Sequence, residues 1–311
     1  MAKKISIINF KGGVGKTTIT LHLAAGIEYF YQKRVLMIDV DHQSSLSIVA
    51  LRKKWEDAVN SGKTVNKIFE HFTKSNQPLP GKEIIIPAPY KKDYPNLDIV
   101  SSSLELDDLE LELASSSRGE AVFSEFQKRT LLSSWIDKNN LDNEYDYIFF
   151  DCPPATKLVS QNAISASDFY IVPVIPDAIS SRGLEHLVHL LKNKIDKKTS
   201  SLADFLVASG REVPNAYVRD TKLGGVVVSK LKVAGNSKSG YTNDHTQHLT
   251  LISSKWKNEI IRPYIEEGTG VPEAMAEGYP VYDRTDNKNI EKREYFEVFE
   301  KLVHNTVGRI G

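Results

Sequence analysis

The chain has one cysteine, Cys152, only three methionines, and no apolar run that approaches the length of a membrane span. A single cysteine excludes an internal disulfide framework and fits a reducing compartment. The shortness of the apolar runs excludes a membrane-spanning helix. The opening MAKKISIINF passes straight into a strand-like stretch, so no signal peptide is expected. Net charge is lacking too, with 40 basic residues facing 40 acidic ones. That excludes a globally basic nucleic-acid binder and leaves room for a local basic patch. Internal repeats and low-complexity tracts are absent. What is present is 311 residues, 41% hydrophobic and 26% charged, the composition of an ordinary globular protein with length to spare for a core.

Lys4 to Asn9 is a short isoleucine-rich run, which suits a buried parallel strand. A glycine loop follows, and Thr17 to Tyr31 then carries apolar residues at helical spacing. RVLMIDVD is a second buried strand ending in two aspartates. Strand, glycine loop, helix and strand make a βαβ unit. Further strands are expected at NLDIVSS, YDYIFFDCPPA, DFYIVPVIPD and LGGVVVSKL, and further helices over Arg118–Asn139 and Gly183–Lys194. Residues 51–95 are polar, with five prolines between Pro78 and Pro95, and read as surface elaboration with one short helix near Val65–Phe72. Alternating strands and helices imply an α/β fold, a mostly parallel twisted sheet flanked by helices on both faces, in one domain covering residues 1–311. Ligands of such sheets bind at the carboxyl ends of the strands.

NFKGGVGKTTIT, residues 9–20, holds the chemistry. Gly15, Lys16 and Thr17 match the end of a phosphate-binding loop, while Phe10 stands where its first glycine would be. Gly12, Gly13 and Gly15 still allow the backbone around Val14 to wrap an anion, and a helix starting at Thr17 and Thr18 points amides and a positive dipole end at it. Lys16 is placed to reach β- and γ-phosphates, and the Thr17 hydroxyl to ligate Mg²⁺. A plain tight turn would explain the glycines but not Gly-Lys-Thr-Thr opening a helix after a buried strand. Lys11, a second lysine in the same loop, has no role in an ordinary phosphate loop.

KGGVGKTT resembles the deviant phosphate loop of the ParA/MinD family of P-loop ATPases. RVLMIDVDHQSSLS is similar to that family's second aspartate motif, and YDYIFFDCPPA to its Walker B strand. EIIRPYIEEGTGVPEAMAEGYPVYD is similar to the late segment around the base pocket, which brings Arg262 and Pro263 into the expected nucleotide site. The likeness thins in 51–95 and 195–250. It implies ATP and Mg²⁺ as ligands, hydrolysis of ATP to ADP and phosphate, and a homodimer formed on ATP. Lys11 would then reach across the dimer to the phosphates held by the other subunit, much as an arginine finger does. Asp41 would orient the attacking water, Asp39 would sit close to Mg²⁺, and Asp151 would hold a metal-bound water. Where the family usually has Asp-Pro-Gln, this chain has Asp41-His42-Gln43.

Between Lys222 and Arg262 seven basic residues, among them Lys230, Lys232, Lys238, Lys255 and Lys257, stand against Asp244 and Glu259. Relatives of the ParA branch bind DNA without sequence preference through such late basic residues, for which phosphate contacts suffice. A solvated surface explains the same charges about as well. The ParA branch implies a cytoplasmic, nucleoid-associated protein that segregates a plasmid, chromosome or other cargo and is released when a ParB-like partner stimulates hydrolysis. The MinD branch is the alternative, but it ends in a basic amphipathic helix, and here Glu294, Glu297 and Glu300 are interleaved with Phe296, Phe299, Leu302 and Val303. A metabolic amidoligase-type relative is a third reading, and the single cysteine excludes the iron–sulfur relatives. The acidic stretch LELDDLELELASS reads as a solvated face. His186/His189 and His245/His248 have H-x-x-H spacing without a further ligand nearby, and read as helix-surface residues.

Overall fold

The computed structural model describes residues 1–87, 93–234, 240–282 and 290–311, apart from the side chains of Ser181 and residues 290–294. Lys238 lies outside the described residues. Eight strands form one sheet: β1 (Lys3–Ile7), β2 (Val35–Asp39), β3 (Ile86–Pro87), β4 (Leu97–Val100), β5 (Tyr147–Asp151), β6 (Phe169–Val174), β7 (Lys222–Val228) and β8 (Ile260–Ile261). Their order is β3-β4-β2-β5-β1-β6-β7-β8. All pairs are parallel except β3 on β4 at one edge. The expected α/β architecture is the one observed.

Strand alternation sorts the core into two layers. Val35 and Met37 of β2, with Tyr147 and Phe149 of β5, face one side; Leu36, Ile38, Ile148 and Phe150 face the other. The first side is covered by α1 (Lys16–Tyr31), α2 (Ser45–Leu51), α13 (Gly270–Glu277) and α14 (Ile290–Ile310), which bury Leu23, Ala50, Val271, Phe299 and Val303 there. The second is covered by α4 (Asn66–Thr73), α5 (Leu106–Ser115), α7 (Leu131–Lys138), α9 (Leu158–Ser165) and α10 (Ala178–Leu190). The central strands β2 and β5 are buried along their whole length, and each reads in the sequence as an apolar run closed by an aspartate.

Three segments differ from their sequence reading. The helical period over Arg118–Asn139 is two helices, α6 (Ala121–Gln127) and α7, with Thr130 in a non-helical conformation between them. The helix expected at Gly183 begins at Ala178, because the Asp177 side chain accepts from the amides of Ile179 and Ser180 and caps it there. The polar stretch after residue 51 carries α3 (Lys54–Asn60) as well as α4, and its Val65, Ile68, Phe69, Phe72 and Ile84 are all buried in the second core layer. The short helix expected near Val65–Phe72 is α4, but its apolar stripe lies in the core rather than on a surface elaboration.

Candidate functional site

Register builds the site. Parallel pairing sets Ile7 of β1 and Asp39 of β2 both opposite Asp151 of β5. The glycine loop leaves β1 from this row, so loop and carboxylates share one end of the sheet. Gly13 and Gly15 have φ of 73° and 88°, the left-handed region that a side chain would disfavour. Gly15 is the N-cap of α1, and no side chain caps the helix start. Its first amides are thereby left facing the loop. Ser229, just past the end of β7, donates its hydroxyl to the Val14 carbonyl at 2.7 Å and pins the loop from the far side.

Lys16 is buried, and its ammonium donates to the Lys11 carbonyl at 3.3 Å. Burial lowers its pKa, and the negative charges of Asp151 and Asp41 oppose that shift. The Thr17 hydroxyl donates to Asp151 Oδ2 at 2.7 Å, and the Thr20 hydroxyl donates to Oδ1 at 3.1 Å. Asp39 Oδ2 accepts from the Ser47 amide at 2.9 Å and from its hydroxyl at 2.6 Å, while Oδ1 accepts from the Asp41 amide at 3.0 Å. Burial raises the pKa of both Asp39 and Asp151, and the mutual repulsion of the carboxylates adds to it. A hard cation would relieve that repulsion. A hydroxyl and carboxylates beside an open helix start are the donor set Mg²⁺ takes alongside phosphate oxygens.

Asp41 sits just beyond β2. Its Oδ1 accepts from the Gln43 amide at 3.0 Å, and its carbonyl accepts from Ser102 Oγ at 2.9 Å. His42 stands 3.8 Å from the Asp41 carboxylate and is partly exposed. The structure therefore brings Lys11, Gly12, Gly13, Val14, Gly15, Lys16, Thr17, Thr18, Asp39, Asp41 and Asp151 to one mouth. Ser47, Ser102, Ser229 and Thr20 hold these groups in place and were not singled out in the sequence. Their only sequence signal is a small hydroxyl residue at the end of a buried strand or inside a motif.

A cavity of about 390 Å³ opens beside Gly15 and Thr18, walled by Ser229, Ile265, Val271 and Met275. Arg262 and Pro263 line a neighbouring pocket, which shares Glu266 with this one. The Arg262 guanidinium lies 4.1 Å from the Tyr264 ring centre, and Asn305 of α14 donates to its carbonyl at 2.8 Å. Ile265 is the first residue after Arg262 and Pro263 to line the cavity beside the loop.

Of the basic stretch, Lys222 stands apart from the mouth. Lys222 opens β7 at the end of the sheet opposite the mouth, near Lys3 and Lys4. Lys230 lines the cavity beside the loop. Lys255, on α12 (Asn243–Trp256), is ion-paired with Glu185 of α10. Lys232, Lys257 and Arg262 are exposed. The paired histidines each have other company: His186 contacts the Phe10 ring, His189 Asn193, His248 Asp244, and His245 accepts from the Lys232 amide at 3.0 Å. Among the described residues no group of three or more His, Cys, Asp or Glu side chains could hold a metal by itself. No described helix is long and apolar enough to cross a membrane.

A family model described as "AAA domain" matches residues 2–203. The sporulation initiation inhibitor protein Soj of Bacillus subtilis is 26% identical over 283 residues, which span 90% of each chain. The structure of apo McdA from Cyanothece superposes with a TM-score of 0.66 at 18% identity, over 100% of both chains. A putative plasmid partition protein of Borrelia burgdorferi, solved with AMPPNP, gives a TM-score of 0.62 at 20% identity over 99% of both. At these identities the two structures speak to the fold. With the domain match and the phosphate loop, they place this chain in the AAA-domain family, among the P-loop ATPases of ParA/MinD type.

Proposed function

We propose that this protein is a partition or positioning ATPase that binds Mg²⁺ and ATP at the mouth of its sheet, pairs with a second copy over the nucleotide, and binds DNA without sequence preference until hydrolysis releases it. A ParB-like partner would stimulate that hydrolysis. The observation that carries the reading is the β1–β2–β5 register, which collects Lys16, Thr17, Asp39, Asp41 and Asp151 around an open helix start. That the Borrelia partition protein of like fold was solved with AMPPNP supports it.

Each residue has a defined task. The amides of the loop and Lys16 cradle the β- and γ-phosphates. Thr17 and Asp151, with Asp39 beside them, would hold Mg²⁺ directly or through its waters, and the ion would offset phosphate charge. Asp41, with one oxygen committed to Gln43, is fixed next to the row and orients a water for attack on the γ-phosphorus. The bond from that phosphorus to the bridging oxygen then breaks, leaving ADP and phosphate. Lys11 supplies positive charge to the second subunit's phosphates.

The partition reading stands ahead of membrane cycling because of α14. Its Phe299, Leu302, Val303 and Ile310 are buried against the domain, so that apolar face is already used. The decisive experiment measures DNA binding with and without ATP over a salt series. Binding that requires ATP, ignores sequence and falls steeply with salt is expected, and it should be lost in Lys11→Ala, which should keep its ATP affinity. DNA binding that ignores ATP, or none at all with ATP present, overturns the reading.

A further inference from the structure

Lys11 is not a free loop lysine. Its ammonium is ion-paired with Oδ2 of Asp177 in the same chain. Asp177 Oδ1 meanwhile accepts from the amides of Ile179 at 3.1 Å and Ser180 at 2.8 Å, capping α10. The neighbouring loop residues are fastened to the same side. The Phe10 ring lies 5.8 Å from the His186 ring of α10. Asn9 donates to the Pro173 carbonyl of β6 at 2.7 Å and accepts from the Lys11 amide at 3.1 Å. One carboxylate thus does two jobs: it caps α10, for which a neutral side chain would suffice, and it holds the Lys11 ammonium, for which its charge is needed.

We propose that Asp177 is a latch in cis: it keeps Lys11 on its own subunit and so sets the level of ATP-bound protein at which two copies pair. The proposal rests on the trans role given to Lys11 above. The amine that must reach the phosphates of a second copy is committed to α10 until those phosphates compete for it. Asp177 is therefore a positioning residue, acting through Lys11. Unlatching also leaves the cap intact, because Oδ1 keeps its two amides.

The test is Asp177→Asn, which retains an Oδ1 acceptor for the cap and loses the charge. Dimerisation is measured by sedimentation velocity with a non-hydrolysed ATP analogue. Two partly exposed ion pairs, one per subunit, predict a dimer tighter by roughly twofold to thirtyfold. ATP affinity of the monomer and the melting temperature should not move. The tightening should vanish in a Lys11→Ala background, which a merely structural role would not require. Independently, amine acetylation of Lys11 in the nucleotide-free monomer, read by mass spectrometry, should be several-fold faster in Asp177→Asn. An unchanged or weaker dimer overturns the latch, and weakening would mean that Asp177 aims Lys11 outward. If the Asn variant does not fold, Asp177→Ser, which also caps, takes its place in both measurements. Absence of any ATP-dependent dimer in the wild type would instead sink the preceding functional reading, and the latch with it.

Discussion

His22 allows a sharp test of how the nucleotide-binding helix is anchored. It lies inside α1, six residues past Lys16, and is completely buried. Its Nδ1 donates to the Thr18 carbonyl at 2.7 Å, and its Nε2 accepts from the Val281 amide at 3.2 Å. The ring stacks on Phe299 of α14 at 4.2 Å. Both nitrogens are satisfied only in the neutral form, since a second ring proton would face the Val281 N–H. Burial lowers the pKa from 6.5 to about 4. Below pH 6.5 the unfolded chain takes up this proton and the folded chain does not, so stability falls as pH drops toward 4. At about 1.4 kcal/mol per pH unit the loss approaches roughly 3 kcal/mol. Buried acids with raised pKa, Asp196 at about 7 among them, act in the opposite direction. The wild-type curve alone therefore decides nothing. Urea unfolding of wild type and His22→Gln should be compared at each pH from 7 to 4. The variant should be less stable at pH 7 by about 1–3 kcal/mol, because a buried hydrogen-bonding group loses its partner. The gap should close, and then reverse or vanish, as pH falls. Two parallel curves would refute the assignment of the neutral, doubly bonded imidazole.

Asp41→Ala should leave ATP affinity within a few-fold of wild type while turnover falls at least about a hundredfold, since water orientation is lost and the phosphate cradle is not. Turnover retained in a single-cycle ATPase assay would move the role elsewhere. Gly26→Ala should lower stability by about 1–3 kcal/mol, because the added Cβ would stand 2.5 Å from Val303 Cγ2 and 2.7 Å from the Tyr282 hydroxyl. Calorimetry showing an unchanged melting temperature would mean that α1 and α14 are packed less tightly than their contacts indicate.

By itself the sequence determined the phosphate loop, the buried strands and the two aspartate-ended strands, because each is a local pattern. Glycines at 13 and 15 are demanded by the positive φ of the turn, and a parallel strand buried on both faces must be apolar throughout. Asp39 and Asp151 could be placed at the mouth for the same reason, since parallel strands deliver their carboxyl ends to one edge. Only the tertiary structure decided what those groups touch. Ser47 holds Asp39 because α2 folds back over the end of β2, and Ser229 reaches Val14 across 215 residues of chain. Lys11 met Asp177 for a like reason, and no spacing in the sequence links them. The cavity beside the loop took its apolar wall from Ile265, Val271 and Met275, which no spacing in the sequence links to Gly15 and Thr18. Lys222 parted from Lys230 because a parallel strand carries its first residue to one end of the sheet and its last to the other. Helix and strand follow from the periodicity of near neighbours, whereas an ion pair or a cavity wall depends on where distant segments come to rest, which is set by how the two core layers pack as a whole.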